Sequence, residues 1–141
     1  MGNRTIAKLL AIAAVSLSAV AARAQVDTWT STSSGAWGTG VNWSAGVPSS
    51  ANTATFNGSA GLMNGITLLP SSMAGSLSFV STGGANAYTF DTAATANNNT
   101  LTITSGITNS DAANVTFYNT TTLGGSQTWA NSCLLYTSRC V

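Results

Sequence analysis

The side chains that could perform chemistry in this chain are few and lie far apart. Asp27, Asp91 and Asp111 are the only acidic residues, and the chain has no histidine and no glutamate. A Ser/His/Asp triad, a Cys/His pair and an ordinary zinc site are therefore excluded. Two aspartates could in principle form a glycosidase couple, but each lies beside Thr, Ala or Ser, where a turn or surface role is ordinary. We expect no enzyme.

Calcium and other cofactors are not expected either. Secreted β-rolls bind calcium through nonapeptides that carry an aspartate in every turn. No aspartate recurs in that way, and Asp111, in an Asn-Ser-Asp sequence, is more typical of a turn. We therefore expect no cofactor and no metal site.

The tryptophans offer the one candidate binding site. Trp29, Trp37 and Trp43 lie within fifteen residues, and Asn42 is adjacent to Trp43. Exposed indole faces and a side-chain amide would suit sugar rings, so these four residues are a possible ligand site. Alternatively, the tryptophans close the end of a hydrophobic core, since burial of each large aromatic contributes roughly 2–3 kcal/mol. We favour this second interpretation, because the terminal unit of a repeat protein needs an atypical cap.

The first 24 residues have the pattern of a secretory signal peptide. Arg4 and Lys8 precede an uncharged apolar run at residues 9–20, and Ala22 and Ala24 place small residues at the cleavage positions. The run is shorter than the ~20 residues that span a bilayer, although a retained anchor remains the alternative. We expect cleavage after Ala24 and export to the cell surface, the outer membrane or the extracellular space.

The last nine residues, 133–141, differ from the rest of the chain. They contain both cysteines and Arg139, the only basic residue after the signal. The segment resembles a translated sequencing-adapter end, which predicts a non-native tail and a protein that continued beyond Ser132. The alternative is a native tail with a disulfide between Cys133 and Cys140.

The central part of the chain, without these two ends, has an unusual charge. It retains the three aspartates and no basic residue. A nucleic-acid partner would require a basic surface, so none is expected. No segment of this central part is apolar enough to predict a stable membrane span.

The elements that must position these residues are short β-strands. Apolar residues alternate with Thr or Ser in pairs, separated by Gly- and Asn-rich gaps, and no helical periodicity is present outside the signal. From Ile66 onward the pairs begin 11, 11, 13 and 14 residues apart. The predicted inward pairs are Ala54/Phe56, Ile66/Leu68, Leu77/Phe79, Tyr88/Phe90, Leu101/Ile103 and Val115/Phe117.

This pattern predicts an all-β fold in one of two architectures. A solenoid of stacked coils suits inward sets that are only two residues deep, gaps of variable length and a near absence of charge. A sandwich or barrel closed by antiparallel pairing is the alternative. We favour the solenoid.

Several motifs resemble one family. Residues 35–37 (GAW), 42–44 (NWS) and 46–48 (GVP), the strand at 54–56 and the LGGSQTW sequence at 123–129 are similar to bacterial proteins with autotransporter-associated β-strand repeats. This resemblance implies a right-handed parallel β-helix, a passenger displayed at or released from the cell surface. The partners it implies are surface glycans or other cell-surface proteins.

The expected organisation follows from these assignments. Residues 1–24 are the signal peptide, 25–56 a Trp-rich N-terminal cap, 57–132 a truncated strand-repeat region and 133–141 the tail. The predicted function is a non-catalytic structural or adhesive segment of an exported bacterial surface protein. Two alternatives are a secreted carbohydrate-binding β-sandwich and the non-catalytic N-terminal part of a larger exported enzyme.

Overall fold

A computed structural model describes residues 24–57, 65–80, 87–92, 99–110 and 114–131. Within these ranges the chain is almost entirely β-strand, with one short 3₁₀ helix at Gly40–Asn42. No helix there is both long and apolar enough to cross a membrane. The predicted signal peptide, except Ala24, and the predicted tail at 133–141 lie outside the described residues.

Ten strands are present in the described ranges. In chain order they are β1 (Val26–Thr28), β2 (Gly35–Ala36), β3 (Thr53–Phe56), β4 (Ile66–Thr67), β5 (Ser72–Phe79), β6 (Tyr88–Phe90), β7 (Thr100–Asn109), β8 (Val115–Phe117), β9 (Thr120–Leu123) and β10 (Thr128–Asn131).

The strands form two parallel sheets. The first has the order β1-β3-β5-β7-β10, with β9 also beside β7, and the second has the order β2-β4-β6-β8. From β1 to β8, consecutive strands alternate between the sheets, so every connection crosses from one sheet to the other. All strand ladders among the described residues are parallel. The prediction of an all-β fold is confirmed, and the parallel sheets are consistent with a solenoid-like arrangement. The antiparallel ladders of the alternative architecture are not found in these ranges.

From β1 to β8, each coil of the stack contains one strand from each sheet. Thr53 pairs with Ser76, 23 residues later in the chain. The spacing of 11 to 14 residues seen in the sequence is therefore half a coil. Alternate predicted pairs, and not successive ones, are neighbours in space.

The core lies between the two sheets and consists of residues that repeat in columns along the stack. Phe56 stacks on Phe79 with ring centroids 5.1 Å apart, and Phe90 stacks on Phe117 at 4.7 Å. The buried apolar side chains are Trp29, Trp37, Trp43, Ala54, Phe56, Ile66, Leu68, Ala74, Leu77, Phe79, Tyr88, Phe90, Leu101, Ile103 and Ile107.

Five of the six predicted inward pairs are fully buried. The sixth, Val115 and Phe117, is only partly buried, although it packs against the same core. The reason is its position, because among the described residues β8 is the last strand of its sheet and has β6 as its one neighbour there. The period-two pattern therefore identifies correctly which side of each strand faces inward. How fully an inward side chain is buried depends on the position of its strand in the stack.

The two longest strands, β5 and β7, are irregular at one level of the stack. Their register shifts between Ala74 and Ser76. Gly106 in β7 has a φ of 155°, and a Cβ there would collide with the backbone of Thr128 in β10. A residue without a side chain is needed at this point because adjacent coils approach closely.

Candidate functional site

The three clustered tryptophans are positioned by the ends of the first strands. Trp29 follows β1, and its backbone N–H donates to the carbonyl oxygen of Thr55 at 2.9 Å. Trp37 follows β2, and its N–H donates to the carbonyl oxygen of Thr67 at 2.8 Å. Trp43 follows the 3₁₀ helix in an extended conformation. The ladders of both sheets thus direct Trp29 and Trp37 into the first coil, and the short helix returns Trp43 to them.

The indole rings form a compact cluster. Trp43 lies edge to face with Trp29, at a centroid distance of 4.9 Å, and with Trp37, at 4.8 Å. Phe56 from the next coil contacts all three rings, with its centroid 5.7 Å from that of Trp43. Edge-to-face aromatic pairs contribute about 0.5–1.5 kcal/mol beyond the burial of their area.

The ring faces are not open to solvent. Trp29 is 2% exposed, Trp37 1% and Trp43 4%. The Nε1 atoms of Trp29 and Trp37 are buried without a hydrogen-bond partner, and Nε1 of Trp43 donates to the carbonyl oxygen of Trp37 at 2.7 Å. The structure brings together the three tryptophans named in the sequence, and a sugar ring could not stack on them in this arrangement.

Residues 42–44 cover the outer edge of β1, the first strand of the first sheet. The N–H of Ser44 donates to the carbonyl oxygen of Thr28 at 2.8 Å, and the N–H of Thr28 donates to Oγ of Ser44 at 2.9 Å. The N–H of Thr30 donates to the carbonyl oxygen of Asn42 at 2.9 Å. Trp43 forms an isolated antiparallel bridge with Trp29. The segment therefore occupies backbone groups that an edge strand would otherwise expose.

Asn42 extends this cover to the second sheet. Its side-chain amide donates to the carbonyl oxygen of Ala36 in β2 at 2.9 Å. It also lies over Gly35, where an added Cβ would come within 2.8 Å of Nδ2 of Asn42. We call Asn42, Trp43 and Ser44 the N-terminal seal, because together they contact the outer edge of both sheets and the core between them.

Asp27 is buried at the same end of the stack. Its side chain is 0% exposed and points into the core side of β1. Oδ1 accepts a hydrogen bond from Nε2 of Gln25 at 2.8 Å, and Oδ2 accepts one from Nδ2 of Asn52 at 2.5 Å. Both carboxylate oxygens are thus held by amides, and neither is presented to solvent as a catalytic base would be.

Asp91 is the second buried carboxylate and supports a turn. It follows β6 with a φ of 59°, and its N–H donates to the carbonyl oxygen of Ile66 at 2.9 Å. Oδ1 accepts bonds from the N–H of Leu68 at 2.8 Å and from Nδ2 of Asn99 at 3.3 Å, while Oδ2 is buried without a partner. Asp91 therefore joins two coils through their backbone.

The chemistry available from the described residues is limited. They contain no group of three or more His, Cys, Asp or Glu side chains that could hold a metal ion. Asp27 and Asp91 are their only charged side chains, and Asp111 lies outside the described ranges. Sequence reasoning missed the roles of Ser44, Gln25 and Asn52, because a Ser or an amide in a chain of this composition carries no local signal of its partner.

Comparison with known proteins identifies no relatives. No family model, no curated protein and no solved structure matches this chain.

Proposed function

We propose that this chain is a non-catalytic structural or adhesive segment of an exported bacterial surface protein, formed by the capped N-terminal coils of a β-helix. The observation that carries the proposal is the closure of the first coil. Trp29, Trp37 and Trp43 fill the end of the core, and the N-terminal seal covers the edges of two parallel sheets. An arrangement of this kind supports a stable, extended surface, and the charged side chains among its described residues, Asp27 and Asp91, are both buried.

The coils are proposed to be right-handed. Connections between parallel strands of one sheet are right-handed in about 98% of known cases, because a twisted strand packs back onto its sheet only in that sense. Each coil here leaves the first sheet, passes through the second and returns one strand further along. A right-handed parallel β-helix is the architecture that this rule favours.

Membership of the autotransporter-associated repeat proteins is proposed on the sequence motifs. The structure adds a physical role for two of them. Asn42, Trp43 and Ser44 form the seal. Pro48, of the Gly-Val-Pro motif, follows the seal in the chain and is buried. Residues 123–129 run from the end of β9 into β10. Export and location at the cell surface, with surface glycans or other surface proteins as partners, rest on the predicted signal peptide and on this resemblance.

The carbohydrate-binding alternative has less support. Stacking of a sugar on Trp29, Trp37 or Trp43 requires an exposed ring face, and each ring is buried. The remaining tryptophan, Trp129, is 57% exposed, but it lies in β10 at the opposite end of the stack. The non-catalytic front of a larger exported enzyme remains compatible with the same fold.

Export is tested by expressing the full chain in a Gram-negative host. We expect removal of residues 1–24, found by N-terminal sequencing of the mature protein, and protein outside the cytoplasm. A matched chain that lacks residues 2–24 is the control and should stay in the cytoplasm. Recovery of the full chain uncleaved in the cytoplasm would contradict the proposal.

Sugar binding is tested by titrating polysaccharides while recording tryptophan fluorescence. We expect no saturable change in the fluorescence of Trp29, Trp37 and Trp43 on addition of polysaccharide. A saturable change that persists in Trp129→Phe would favour the carbohydrate-binding alternative. A change that disappears in Trp129→Phe would assign binding to the other end of the stack and leave the role of the cluster as a cap intact.

A further inference from the structure

The corner of the stack that follows β6 and β8 contains two buried oxygen atoms without a hydrogen-bond donor. They are Oδ2 of Asp91 and Oδ1 of Asn119. We propose that these two oxygens bind a calcium ion from solution, which supplies a positive charge that the surrounding chain does not provide. The proposal concerns the coil stack itself and does not depend on export or on a surface partner.

Asp91 and Asn119 lie at the same corner of neighbouring coils. Phe90 pairs with Phe117, and the N–H of Tyr118 donates to the carbonyl oxygen of Phe90 at 3.0 Å. Asp91 is the residue after the acceptor of this bond, and Asn119 is the residue after its donor. The parallel register of β6 and β8 therefore carries both side chains to one place at the end of the second sheet.

Asn99 connects the two sides of this corner. Its Nδ2 donates to Oδ1 of Asp91 at 3.3 Å. Its carbonyl oxygen accepts a hydrogen bond from the N–H of Thr120, the residue after Asn119, also at 3.3 Å. The corner is thus held by backbone bonds on both sides, and its oxygen atoms outnumber the donors that reach them.

The carboxylate of Asp91 has no counter-charge in the chain around it. Asp91 is 2% exposed, and its Oδ1 accepts from two neutral donors, the N–H of Leu68 and the amide of Asn99. Residues 24–132 contain no Lys, Arg or His. Burial of an unpaired charge is costly, and a buried oxygen without a partner commonly marks a bound water or ion. A cation from solution would satisfy the oxygen and compensate the charge together.

Asp27 shows that an anionic side chain can be buried in this fold without such a vacancy among its donors. Both of its oxygens accept hydrogen bonds, one from the amide of Gln25 and one from the amide of Asn52. No oxygen of Asp27 is left without a partner. The two buried carboxylates therefore differ in one respect, and Asp27 serves as the internal comparison for Asp91.

Calcium is the cation that these ligands suit. Ca²⁺ prefers carboxylate, amide and carbonyl oxygens and tolerates irregular coordination completed by water, whereas Mg²⁺ demands near-octahedral geometry and dehydrates reluctantly. The sequence gave no sign of this site, because the expectation of no metal was based on recurring aspartates. One carboxylate and one amide from different coils form no such pattern. With so few protein ligands, a dissociation constant of about 0.1–1 mM is expected, as in extracellular calcium modules.

The test asks whether calcium stabilises the folded chain through Asp91. The metal-free full chain is melted with and without CaCl₂, and unfolding is followed by the near-ultraviolet tryptophan signal. If the dissociation constant is about 1 mM, calcium at about 10 mM should increase the folded-to-unfolded ratio about tenfold. The Tm should then rise by roughly 4–8 °C. NaCl at equal ionic strength should not reproduce this rise, and MgCl₂ should give less than half of it.

Three variants locate the effect. Asp91→Asn keeps an acceptor for the N–H of Leu68 but removes the charge, so it should fold and lose most of the calcium-dependent rise. Asn119→Ala removes the second unpartnered oxygen and should lose more than half of the rise. The matched control, Asp27→Asn, makes the same change in the other buried carboxylate and should keep the full rise above its own metal-free Tm.

Direct binding is measured with Tb³⁺, which replaces Ca²⁺ in oxygen sites and emits when nearby aromatic rings are excited. We expect saturable emission, displaced by Ca²⁺, from the unmodified chain and from Asp27→Asn. Asp91→Asn should show none. Saturable emission that persists in Asp91→Asn would place the bound ion elsewhere and overturn the proposal.

The melting experiment can overturn the proposal in three further ways. Calcium could leave the Tm of the unmodified chain unchanged, which is the result expected if a water molecule or a proton occupies Oδ2 of Asp91. Asp91→Asn and Asp27→Asn could keep equal calcium-dependent rises. An equal rise from MgCl₂ would overturn the assignment to calcium. Should Asp91→Asn fail to fold, Asn119→Ala takes its place, and an undiminished rise in that variant would count against the site in the same way.

Discussion

The indole N–H of Trp43 donates a 2.7 Å hydrogen bond to the backbone carbonyl oxygen of Trp37. This bond joins the residue that follows the 3₁₀ helix to the residue that follows β2. Because Trp43 also contacts Trp29 at a centroid distance of 4.9 Å, one side chain connects the ends of both first strands. Trp43 therefore joins the first strand of one sheet to the first strand of the other.

Replacement of Trp43 by Phe should destabilise the protein. The ring would still fill most of the space, but the buried carbonyl oxygen of Trp37 would lose its donor, which costs about 1–3 kcal/mol. Chemical denaturation measures the free energy of unfolding. The control is Trp129→Phe at the 57% exposed position, where the change should be within about 0.5 kcal/mol. Equal losses in the two variants would contradict the role of the Trp43 bond.

Replacement of Gly106 by Ala should loosen the last coil. The added Cβ would collide with the backbone of Thr128, and the φ of 155° is unfavourable for any residue with a side chain. A loss of roughly 1–3 kcal/mol is expected, because the neighbouring backbone must shift. Hydrogen exchange of the amides of β10 is the sensitive measurement. Gly40→Ala, where the Cβ meets nothing within 4 Å, is the matched control and should leave that exchange unchanged.

Asp91 should tolerate Asn but not Ala. Asn adopts a positive φ more readily than other residues with a side chain, and its amide oxygen can still accept from the N–H of Leu68. Ala loses that acceptor and is strained at a φ of 59°, so Asp91→Ala should cost about 1–3 kcal/mol more than Asp91→Asn. The comparison uses denaturation at one pH. Equal stability of the two variants would show that the acceptor at position 91 is unimportant.

The same truncation in two columns of the core should have very different costs. Leu77→Ala removes a side chain that is 1% exposed and should cost about 2–5 kcal/mol. Leu123→Ala removes one that is 49% exposed and should cost less than about 1 kcal/mol. Denaturation curves of both variants give the comparison. A large loss at Leu123 would indicate that another part of the protein covers the end of the stack.

Much of the fold was predictable from the alternation of apolar residues with Thr and Ser. Residues such as Phe79 and Tyr88 were assigned to the inside, and both are 0% exposed. This works because side chains in a strand alternate strictly between two faces, so that a local pattern reports which face is buried. The choice between stacked coils and antiparallel pairing remained open, since alternation says nothing about which strand lies alongside.

In the candidate site, too, the sequence predicted one part of the arrangement and left another part open. The sequence indicated that Trp29, Trp37 and Trp43 act together, and left open whether their faces bind a ligand or fill a core. Burial of all three rings is a property of the assembled coils, because Phe56 from the next coil and the returning segment at Trp43 cover them. Asn42 as a ligand contact stays a prediction. The hydrogen bond from its side chain to the carbonyl oxygen of Ala36 is observed.

By itself, then, the sequence determined three things: the chain forms short strands, certain residues of those strands face inward, and few side chains could perform chemistry. Each of these follows from residue type and local spacing. The tertiary structure alone decided that the strands pair in parallel, that two strands make one coil, and that Asn42 and Ser44 cover the edges of the first coil. Such contacts join residues that are distant in the chain, and a hydrogen bond from an amide or hydroxyl to a backbone group leaves no pattern in the sequence.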